Sequence, residues 1–320
     1  MNLTVGSYCS GAAIVECGFE QAGFQSLFTV EKDARLAGLA KLNHPESRCI
    51  TGDVCNIGPT TLPTPNVFWA SPPCTNASRP GGSETEGDIA IAKAICRFLS
   101  HHKPPAFCLE NVPKYRNFRA FGEIVGCLYK LGYWPHWEVY DFSLYGVPQE
   151  RKRLILIAGA KGIYIPKPAT LWRKVGWFDA LKDLIWTEFP EVELAPWQQP
   201  WVEAALAEGE ASRPLLVQRD GASGGKPAIR EAWQAAPTVR AMGGDRHCWP
   251  FDVVANGRTY RVSPRGLARL QGIPNNFQLP TDPKLALRAI GRAVPPPFGC
   301  AVGESVKAAI QRVEGGAIAA

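Results

Sequence analysis

The chain has 320 residues, of which 46% are hydrophobic, and it carries a formal net charge of +6 at pH 7. This length provides enough apolar surface for one large core or two smaller ones, and the sequence contains no run of about 18 apolar residues that could span a membrane. Because the amino terminus also lacks the basic and apolar regions of a secretory signal, we expect a cytoplasmic protein, and the positive charge suits a polyanionic partner.

Short apolar segments alternate with longer amphipathic stretches through the first half of the chain. The segments that we predict to be buried strands are Leu3–Tyr8, Leu27–Val30, Val67–Ala70, Ala106–Leu109 and Leu154–Ile157. Such alternation predicts a doubly wound α/β fold, with a mostly parallel sheet covered by helices on both faces. Ligands of these folds bind beyond the carboxyl ends of the strands.

The interval 161–261 differs in composition from the rest of the chain, since it holds seven of the ten tryptophans and many prolines. We therefore predict a second, smaller domain at 161–261, and a first domain formed by 1–160 together with 262–320. Apolar neighbours flank the tryptophans of this interval, so we expect them to build a small core. They are Trp172, Trp177, Trp186, Trp197, Trp201, Trp233 and Trp249.

The ten cysteines are irregularly spaced, and none belongs to a Cys-x-x-Cys pair. We therefore expect most of these thiols to be reduced and packed as small apolar groups, and we expect no metal site. His247 and Cys248 do not alter this expectation, because adjacent side chains rarely converge on one ion.

Cys74 differs from the other cysteines in its position. The segment Ser71-Pro72-Pro73-Cys74 directly follows the predicted strand Val67–Ala70. Proline fixes its own φ and restricts the residue before it, so the two rings hold the loop that carries Cys74 in one shape. A thiol aimed in this way is typical of a nucleophile.

Five motifs follow one another along the chain. They are Ser71-Pro72-Pro73-Cys74, Glu110-Asn111-Val112, Gln149-Glu150-Arg151-Lys152-Arg153, Arg269-Leu270-Gln271-Gly272 and Ala293-Val294-Pro295-Pro296. The same motifs occur in this order in the DNA cytosine-5 methyltransferase family, which the chain resembles from about Val5 to Glu304, outside the interval 161–261. The resemblance implies the fold of S-adenosylmethionine-dependent methyltransferases, with 161–261 as a target-recognition domain that reads double-stranded DNA. We expect a monomer from a bacterium or a virus of bacteria, and a restriction–modification system and a viral genome both stay open as its setting.

With this resemblance, four residues carry the predicted chemistry. Cys74 would add to carbon 6 of cytosine, and Glu110 would protonate the ring edge beside the amine. Partial burial of Glu110 is expected to raise its pKa, and Asn111 is expected to orient the loop. Arg151 and Arg153 would point to one face of a strand starting there and bind a phosphate or the carbonyl of the adduct.

A cytosine in a duplex must leave the base stack before Cys74 can reach it, so we expect base flipping. The segment after Cys74 is rich in small and polar residues that suit a loop closing over the nucleotide, where Arg79 would meet a phosphate. Arg230, Arg240 and Arg246 could read guanine, but we favour contacts to phosphate, which is the commoner role of a basic loop residue.

The residues that the resemblance implies for the cofactor mostly follow the strand ends. Glu31 would bind the ribose hydroxyls, Asp53 would accept the adenine amine, and Lys32 would place a positive charge beside the ligand. The remaining cofactor residues are Ser10, Gly11, Ala12, Val54, Pro72, Arg292, Ala293 and Val294.

The chain departs from the family pattern at several cofactor positions. Cys9 stands where relatives place an aromatic residue, Ala13-Ile14 replace a glycine pair, and Arg292 replaces an asparagine near the methionine part of the cofactor. A guanidinium buried beside a sulfonium is costly unless an anion compensates it, and a carboxylate on the donor would do so. Transfer of carboxymethyl from carboxy-S-adenosylmethionine is therefore an alternative to transfer of methyl from S-adenosylmethionine.

Two further alternatives stay open. An RNA methyltransferase of the same architecture would use the same cysteine and acid, with tRNA as its substrate. A non-catalytic DNA-binding relative with a decayed cofactor site is the other, although the intact set of Cys74, Glu110, Arg151 and Arg153 argues against decay.

Overall fold

The computed structural model describes residues 2–73, 82–171, 173–208, 213–219, 225–240 and 249–318, with side chains as far as residue 314. Several residues singled out above lie outside the described residues. They are Cys74, Arg79, Trp172, Arg246, His247 and Cys248.

The chain forms two compact units. Unit 1 comprises Met1–Asp141, Lys152–Ala169 and Pro296–Ala320, and unit 2 comprises Phe142–Arg151 and Thr170–Pro295. This division differs from the predicted one, since 142–151 and 262–295 lie in unit 2 and 161–169 lies in unit 1. The predicted boundaries followed a change in composition, whereas the observed units follow packing.

Unit 1 contains a seven-stranded sheet. Its strands are β1 (Leu3–Tyr8), β2 (Phe24–Glu31), β3 (Arg48–Thr51), β4 (Val67–Ala70), β5 (Ala106–Asn111), β6 (Trp134–Asp141) and β7 (Lys152–Gly159). They lie in the order β3-β2-β1-β4-β5-β7-β6. Neighbouring strands are parallel from β3 to β5, and β7 runs antiparallel to both β5 and β6. The mostly parallel α/β sheet predicted from the sequence is confirmed.

Helices cover both faces of this sheet. They are α1 (Ile14–Gln21), α2 (Ala34–Asn43), α3 (Glu86–His102), α4 (Arg119–Lys130) and α9 (Pro296–Ile318). On one face, Phe68 of β4 packs against Phe98 of α3, with the ring centroids 4.1 Å apart. On the other, Trp69 of β4 contacts Phe19 of α1. Successive residues of a strand point to opposite faces, so each side of the sheet has its own core.

Local sequence signals determine where two of these helices begin. The carboxylate of Asp33 accepts backbone N–H groups at the start of α2, and Thr85 and Asp88 form a capping box at the start of α3. Gly18 allows α1 and α9 to touch, because a Cβ at this position would lie 2.1 Å from the carbonyl oxygen of Pro296.

The sequence pattern did not predict β3 and β6, which are the two edge strands. None of the four residues of β3 is fully buried, and β6 exposes Trp134, Trp137 and Val139. An edge strand is partly solvated, so it lacks the continuous apolar run that identifies a buried strand.

Unit 2 contains a five-stranded antiparallel sheet. Its strands are β8 (Glu191–Val192), β9 (Leu215–Gln218), β10 (Ile229–Glu231), β11 (Phe251–Ala255) and β12 (Arg258–Arg261), in the order β10-β9-β11-β12-β8. Its helices are α5 (Trp177–Leu181), α6 (Gln199–Ala207), α7 (Pro264–Leu270) and α8 (Pro283–Arg292). Across the described parts of both units, no helix combines the length and apolar character needed to cross a membrane.

Most tryptophans of unit 2 do not build its core, so the prediction for them is wrong. Only Trp177, among those described, is fully buried, and its indole N–H donates to the carbonyl oxygen of Glu231 at 2.8 Å. The exposed ones are Trp186, Trp197, Trp201 and Trp233. Smaller aliphatic side chains fill the space beside the short sheet, which leaves the large indoles at the surface. These aliphatic residues are Val202, Leu215, Val217 and Val254.

Candidate active site

The loop between β1 and α1 has an unusual backbone. Cys9, Gly11 and Ala13 have positive φ values of 54°, 59° and 56°. Non-glycine residues rarely adopt this left-handed conformation, so the surrounding structure must hold the loop. The N–H of Ser10 donates to the carbonyl oxygen of Val30 at 3.2 Å, and the N–H of Ala13 donates to that of Ser10 at 3.0 Å.

The carboxylate of Glu31 joins this loop to the end of β2. Its Oε2 accepts the N–H of Gly11 at 2.9 Å, and its Oε1 accepts the N–H of Asp33 at 2.8 Å. An ionised carboxylate has further lone pairs on both oxygens, so Glu31 can still accept hydroxyl groups. Its geometry therefore suits the vicinal hydroxyls of a ribose.

The loop after β3 is also bonded to the end of β2. The N–H of Gly52 donates to the carbonyl oxygen of Glu31 at 2.9 Å, and Lys32 Nζ lies 2.9 Å from Asp53 Oδ2. The hydrogen bond from the N–H of Cys55 and, next, that from Lys32 lower the pKa of Asp53. The sequence predicted that Lys32 brings its charge to the ligand, and in the structure Asp53 neutralises that charge.

The space beside Gly11 suits the nucleoside part of S-adenosylmethionine. A Cβ added at Gly11 would meet no atom of the described residues within 4 Å, so this part of the structure leaves the loop open on that side. Ser10 is partly exposed, whereas Ala12 and Val54 are buried. A glycine backbone beside the carboxylate of Glu31 suits the close approach of a nucleoside.

Asn111, at the end of β5, holds the loop that leads to Cys74. Its Nδ2 donates to the carbonyl oxygen of Pro72 at 3.1 Å, and its Oδ1 accepts the N–H of Val112 at 2.8 Å. Asn111 is 1% exposed, so both bonds are shielded from water. This geometry supports the orienting role predicted for Asn111.

Glu110 pairs with Arg153 across β5 and β7. Arg153 Nε lies 3.1 Å from Glu110 Oε1, and the two side chains are only 16% and 9% exposed. Glu110 is opposite Ile155 in the ladder, so Arg153 is its diagonal neighbour on the same face. The guanidinium therefore holds the carboxyl group of Glu110 in a fixed orientation.

Arg151 and Arg153, predicted to act as a pair on one strand face, have separate environments. β7 begins at Lys152, and Arg151 belongs to unit 2. Its buried guanidinium donates to the carbonyl oxygens of Val239 at 3.1 Å and Gly291 at 2.9 Å. A guanidinium keeps its charge in proteins, so a buried one needs acceptors, and here the backbone supplies them. These contacts support a structural role for Arg151 in place of the predicted binding of a phosphate or an adduct.

Two buried amides join three of the motifs inside unit 2. Gln149 accepts the N–H of Val239 at 2.8 Å and donates to the side chain of Gln271. Gln271 donates in turn to the carbonyl oxygens of Ile290 at 3.0 Å and Ala293 at 2.9 Å. The motifs that contain Gln149, Gln271 and Ala293 thus form one hydrogen-bonded network, which we call the amide network.

Arg292 is exposed at the end of α8, whereas Ala293 and Val294 are buried. The carboxymethyl hypothesis assumed that the guanidinium of Arg292 is buried beside the donor. An exposed guanidinium stays hydrated, so it needs no compensating anion. This premise of the hypothesis is therefore wrong.

The two described arginines predicted to bind DNA differ in their surroundings. Arg230 is partly buried, and its Nη2 lies 3.3 Å from Glu150 Oε2. Arg240 is exposed and directly precedes 241–248, which lie outside the described residues together with Arg79. Arg240 can therefore approach a phosphate directly, whereas Arg230 must first leave Glu150.

The structure reveals a cluster of titratable side chains that sequence reasoning missed. The potential metal-ligating atoms of Cys17, Glu20 and His44 lie within 4.8 Å of one another. Nδ1 of His44 donates to Glu20 Oε1 at 2.7 Å, and Nε2 donates to the carbonyl oxygen of Ala13 at 2.7 Å. Both partners are acceptors, so both ring nitrogens carry protons, and neither has a lone pair for a metal.

His44 is instead a buried cation that holds the loop after β1. Burial alone would lower the pKa of His44, but hydrogen bonds with Cys17 and Glu20 and the charge of Glu16 raise it to about 11. Its partner Ala13 is one of the loop residues with positive φ. No spacing in the sequence signals this contact, because His44 reaches Ala13 only when α2 packs back toward α1.

Comparison with known proteins gives consistent matches. The profile of the family described as C-5 cytosine-specific DNA methylase matches residues 3–184 and 202–308. Type II methyltransferase M.NaeI of Lentzea aerocolonigenes is 30% identical over 97% of this chain and 76% of its own length. Type II methyltransferase M.NgoMIV of Neisseria gonorrhoeae is 26% identical over 98% of this chain and 99% of its own. The crystal structure of S. pombe Dnmt2 methyltransferase shares the fold, with a TM-score of 0.64 at 15% identity over 98% of this chain and 99% of its own.

These matches extend over both units. They include the loop after β1, the Pro-Pro-Cys segment, the pair of Glu110 and Arg153, and the amide network. The family profile alone covers well over half of the chain. The chain therefore belongs to the C-5 cytosine-specific DNA methylase family.

Proposed function

We propose that this chain methylates carbon 5 of cytosine in double-stranded DNA, with S-adenosylmethionine as donor, Cys74 as nucleophile and Glu110 as proton donor. The arrangement at the ends of β4 and β5 carries the proposal. There Asn111 holds the carbonyl group of Pro72, two residues before Cys74, and Arg153 orients Glu110. Covalent attack on a pyrimidine requires a nucleophile on a rigid mount and an oriented acid on a neighbouring element.

The reaction begins when the thiolate of Cys74 adds to carbon 6 of a cytosine that has left the base stack. The electron pair of the 5,6 double bond moves into the ring, and Glu110 donates a proton to N3, which stabilises the adduct. Carbon 5 then gains the methyl group, which would leave the donor as the thioether S-adenosylhomocysteine. Loss of the carbon 5 proton to a base, with return of the N3 proton to Glu110, restores the double bond and expels the thiolate of Cys74.

The loops after β1, β2 and β3 would hold the donor. Glu31 would accept the ribose hydroxyls, Asp53 would accept the adenine amine, and the open side of Gly11 would let the ligand approach the backbone. S-adenosylmethionine, when bound, supplies an electrophilic methyl group on its sulfonium sulfur. The other unit 1 residues predicted to line this site are Ser10, Ala12, Val54 and Pro72.

Duplex DNA would be anchored through its phosphates by arginines. Arg240 is exposed and free to take this role without first breaking an ion pair to Glu150, unlike Arg230. Arg79 and Arg246 keep the same predicted role. Each arginine that binds a phosphate should contribute a salt-dependent share of the affinity.

Transfer assays with a radiolabelled methyl donor test the proposal. A random-sequence DNA duplex and tRNA serve as parallel substrates, and digestion to nucleosides followed by mass spectrometry identifies the product. We expect 5-methyldeoxycytidine from DNA, and we expect Cys74→Ala to lose the activity while Cys49→Ala, a control in β3, keeps it. Duplexes that contain 5-fluorocytosine should trap a covalent conjugate with Cys74 in place but not with Cys74→Ala.

The possible outcomes separate the alternatives. Full transfer by Cys74→Ala would refute the nucleophile, and transfer to tRNA alone would assign the RNA substrate. If the folded protein binds DNA but transfers no methyl group to DNA or to tRNA, the non-catalytic alternative would be correct. A sharp fall in the transfer activity of Glu110→Gln, with intact DNA binding, would support Glu110 as the proton donor.

The donor itself is tested by offering carboxy-S-adenosylmethionine in competition with S-adenosylmethionine. The exposure of Arg292 removes the desolvation argument for a carboxylated donor, so we expect methyl to be the transferred group. Detection of 5-carboxymethyldeoxycytidine, and its loss in Arg292→Asn, would reinstate the alternative.

A further inference from the structure

Two cysteines meet between α3 and α4 of unit 1. Cys96 Sγ on α3 lies 3.8 Å from the carbonyl oxygen of Glu123 on α4, and Cys127 Sγ on α4 lies 3.9 Å from the carbonyl oxygen of Cys96. Each sulfur therefore reaches the backbone of the opposite helix, which brings the two side chains together at one helix contact.

The two thiols line a shallow surface groove of about 1180 Å³, which we call the thiol groove. Its α4 side is open, since a Cβ at Gly122 or Gly126 would meet no atom within 4 Å among the residues that the structure describes. Within the same part of the chain, Glu123 is the one acidic residue of the lining, against four lysines and arginines. The excess of positive charge favours an anionic small molecule over a neutral or cationic one. The basic residues are Lys93, Arg97, Arg119 and Lys130.

The environment of Cys127 makes it the more reactive thiol. The hydrogen bond from Cys96 lowers the pKa of Cys127 most, burial opposes this effect, and Ser100 and the charge of Lys130 lower the pKa further, to about 7. The interaction with Cys127 raises the pKa of Cys96, so Cys96 stays protonated at the pH at which Cys127 ionises. A thiolate is the nucleophilic form of cysteine, and a pKa near ambient pH is the best one for attack on a disulfide.

We propose that Cys96 and Cys127 form a thiol–disulfide exchange site in the thiol groove, which reacts with anionic low-molecular-weight disulfides and closes to a disulfide between α3 and α4. Methyl transfer uses neither residue, so this site is independent of the proposed function. Contacts of both sulfurs with the opposite helix, and the basic lining, are the observations that carry it.

The exchange proceeds in two balanced steps. The thiolate of Cys127 attacks one sulfur of the small disulfide RSSR, forms a mixed disulfide and expels RS⁻. Cys96 then attacks the sulfur of Cys127 in this mixed disulfide, forms the bond between the two cysteines, expels the second RS⁻ and releases its proton. In sum, two protein thiols are oxidised and one RSSR is reduced to two RSH, and reduced thiols in excess reverse the reaction.

Oxidised glutathione, cystamine and hydroxyethyl disulfide serve as anionic, cationic and neutral probes of the full-length protein. Acid quenching, alkylation and peptide mass mapping then follow each cysteine separately. We expect the peptides of Cys96 and Cys127 to become linked, at a rate about tenfold higher with oxidised glutathione than with cystamine at low salt, and we expect added salt to reduce this ratio.

Two single substitutions test the order of attack. In Cys96→Ser the mixed disulfide with glutathione should accumulate on Cys127, because the resolving thiol is absent. In Cys127→Ser the modification of Cys96 should be slow. Cys49→Ser, in the edge strand β3, is the matched control and should react like the unsubstituted protein.

Several results would overturn the proposal. A disulfide that joins Cys96 or Cys127 to a third cysteine would refute the proposed exchange site. The absence of a glutathione adduct on Cys127 in Cys96→Ser would refute it as well. Equal rates for the anionic and cationic probes would remove the role of the thiol groove. Peptide mapping of the unsubstituted protein and the pH profile of Cys127 alkylation, with an expected midpoint near 7, decide the question even if a substitution impairs folding.

Discussion

Two arginines of one short segment lie in opposite environments. Arg153 lies in unit 1 and faces the carboxylate of Glu110, whereas Arg151 is buried in unit 2 and donates to two backbone carbonyls. Gln149 also contacts the backbone of unit 2, through the amide network. Residues of one motif can therefore serve two purposes, since one orients a candidate reacting group and the others bind chain segments together. Substitution of the orienting residue should lower the rate of transfer, whereas substitution of the residues that bind the backbone should lower the free energy of unfolding.

The largest effect is expected on the rate, from Glu110→Gln. The amide cannot donate an acidic proton to N3, so kcat should fall by about a thousandfold, while the free energy of unfolding changes little. Single-turnover transfer and urea unfolding measure the two quantities on the same preparation. A rate within tenfold of the unsubstituted protein would show that Glu110 is not the acid.

Arg151→Met should mainly lower the free energy of unfolding, and Arg153→Met should mainly lower kcat. Loss of the buried guanidinium leaves the carbonyl groups of Val239 and Gly291 without a donor, so Arg151→Met should reduce the free energy of unfolding by about 3 kcal/mol. Arg153→Met removes the cation from a largely buried carboxyl group, which can take up a proton in response, so its cost in stability should be about 2 kcal/mol, but it should also lower kcat by freeing Glu110. The comparison fails if Arg153→Met destabilises more than Arg151→Met.

His44 resembles Arg151 as a buried cation that donates to a backbone carbonyl, but its charge can be titrated. Its pKa is raised to about 11 in the folded chain, so the stability it contributes is full below its ordinary pKa of about 6.5 and is lost as the pH rises toward 11. His44→Gln should therefore cost about 2 kcal/mol at pH 6, and this cost should shrink progressively as the pH rises from about 6.5 toward 11.

Urea unfolding at several pH values measures the difference between His44→Gln and the unsubstituted protein. Arg151→Met is the matched control, because a guanidinium keeps its charge and its cost should not vary over the same range. A pH-independent cost for His44→Gln would mean that the folded imidazole is neutral.

The smallest effect is expected at the surface of unit 2, from Trp233→Ala. Trp233 is 74% exposed, so the free energy of unfolding should change by less than about 0.5 kcal/mol. Trp177→Ala, in the core, should cost about 3 kcal/mol or more and is the control. A large loss of DNA affinity in Trp233→Ala, without loss of stability, would show that this indole contacts DNA.

Sequence patterns were informative where burial is continuous. β1 and β4 have the predicted bounds, because strands covered on both faces read as unbroken apolar runs. The placement of Glu110 and Asn111 at the end of β5 follows from the same pattern. The edge strands and the tryptophans of unit 2 were missed or misassigned, because their side chains are only partly covered and hydrophobic character alone does not reveal exposure.

The chain by itself determined the family, the α/β sheet and the position of the candidate nucleophile after β4, since each depends on the order of residues along one strand or one loop. Tertiary structure alone decided that Arg151 donates to backbone carbonyls, that Lys32 pairs with Asp53, that His44 bonds to the loop after β1, and that Cys96 and Cys127 meet at one helix contact. These contacts join residues distant in sequence, and the energy of a charge or thiol depends on neighbours that only folding brings within hydrogen-bond distance.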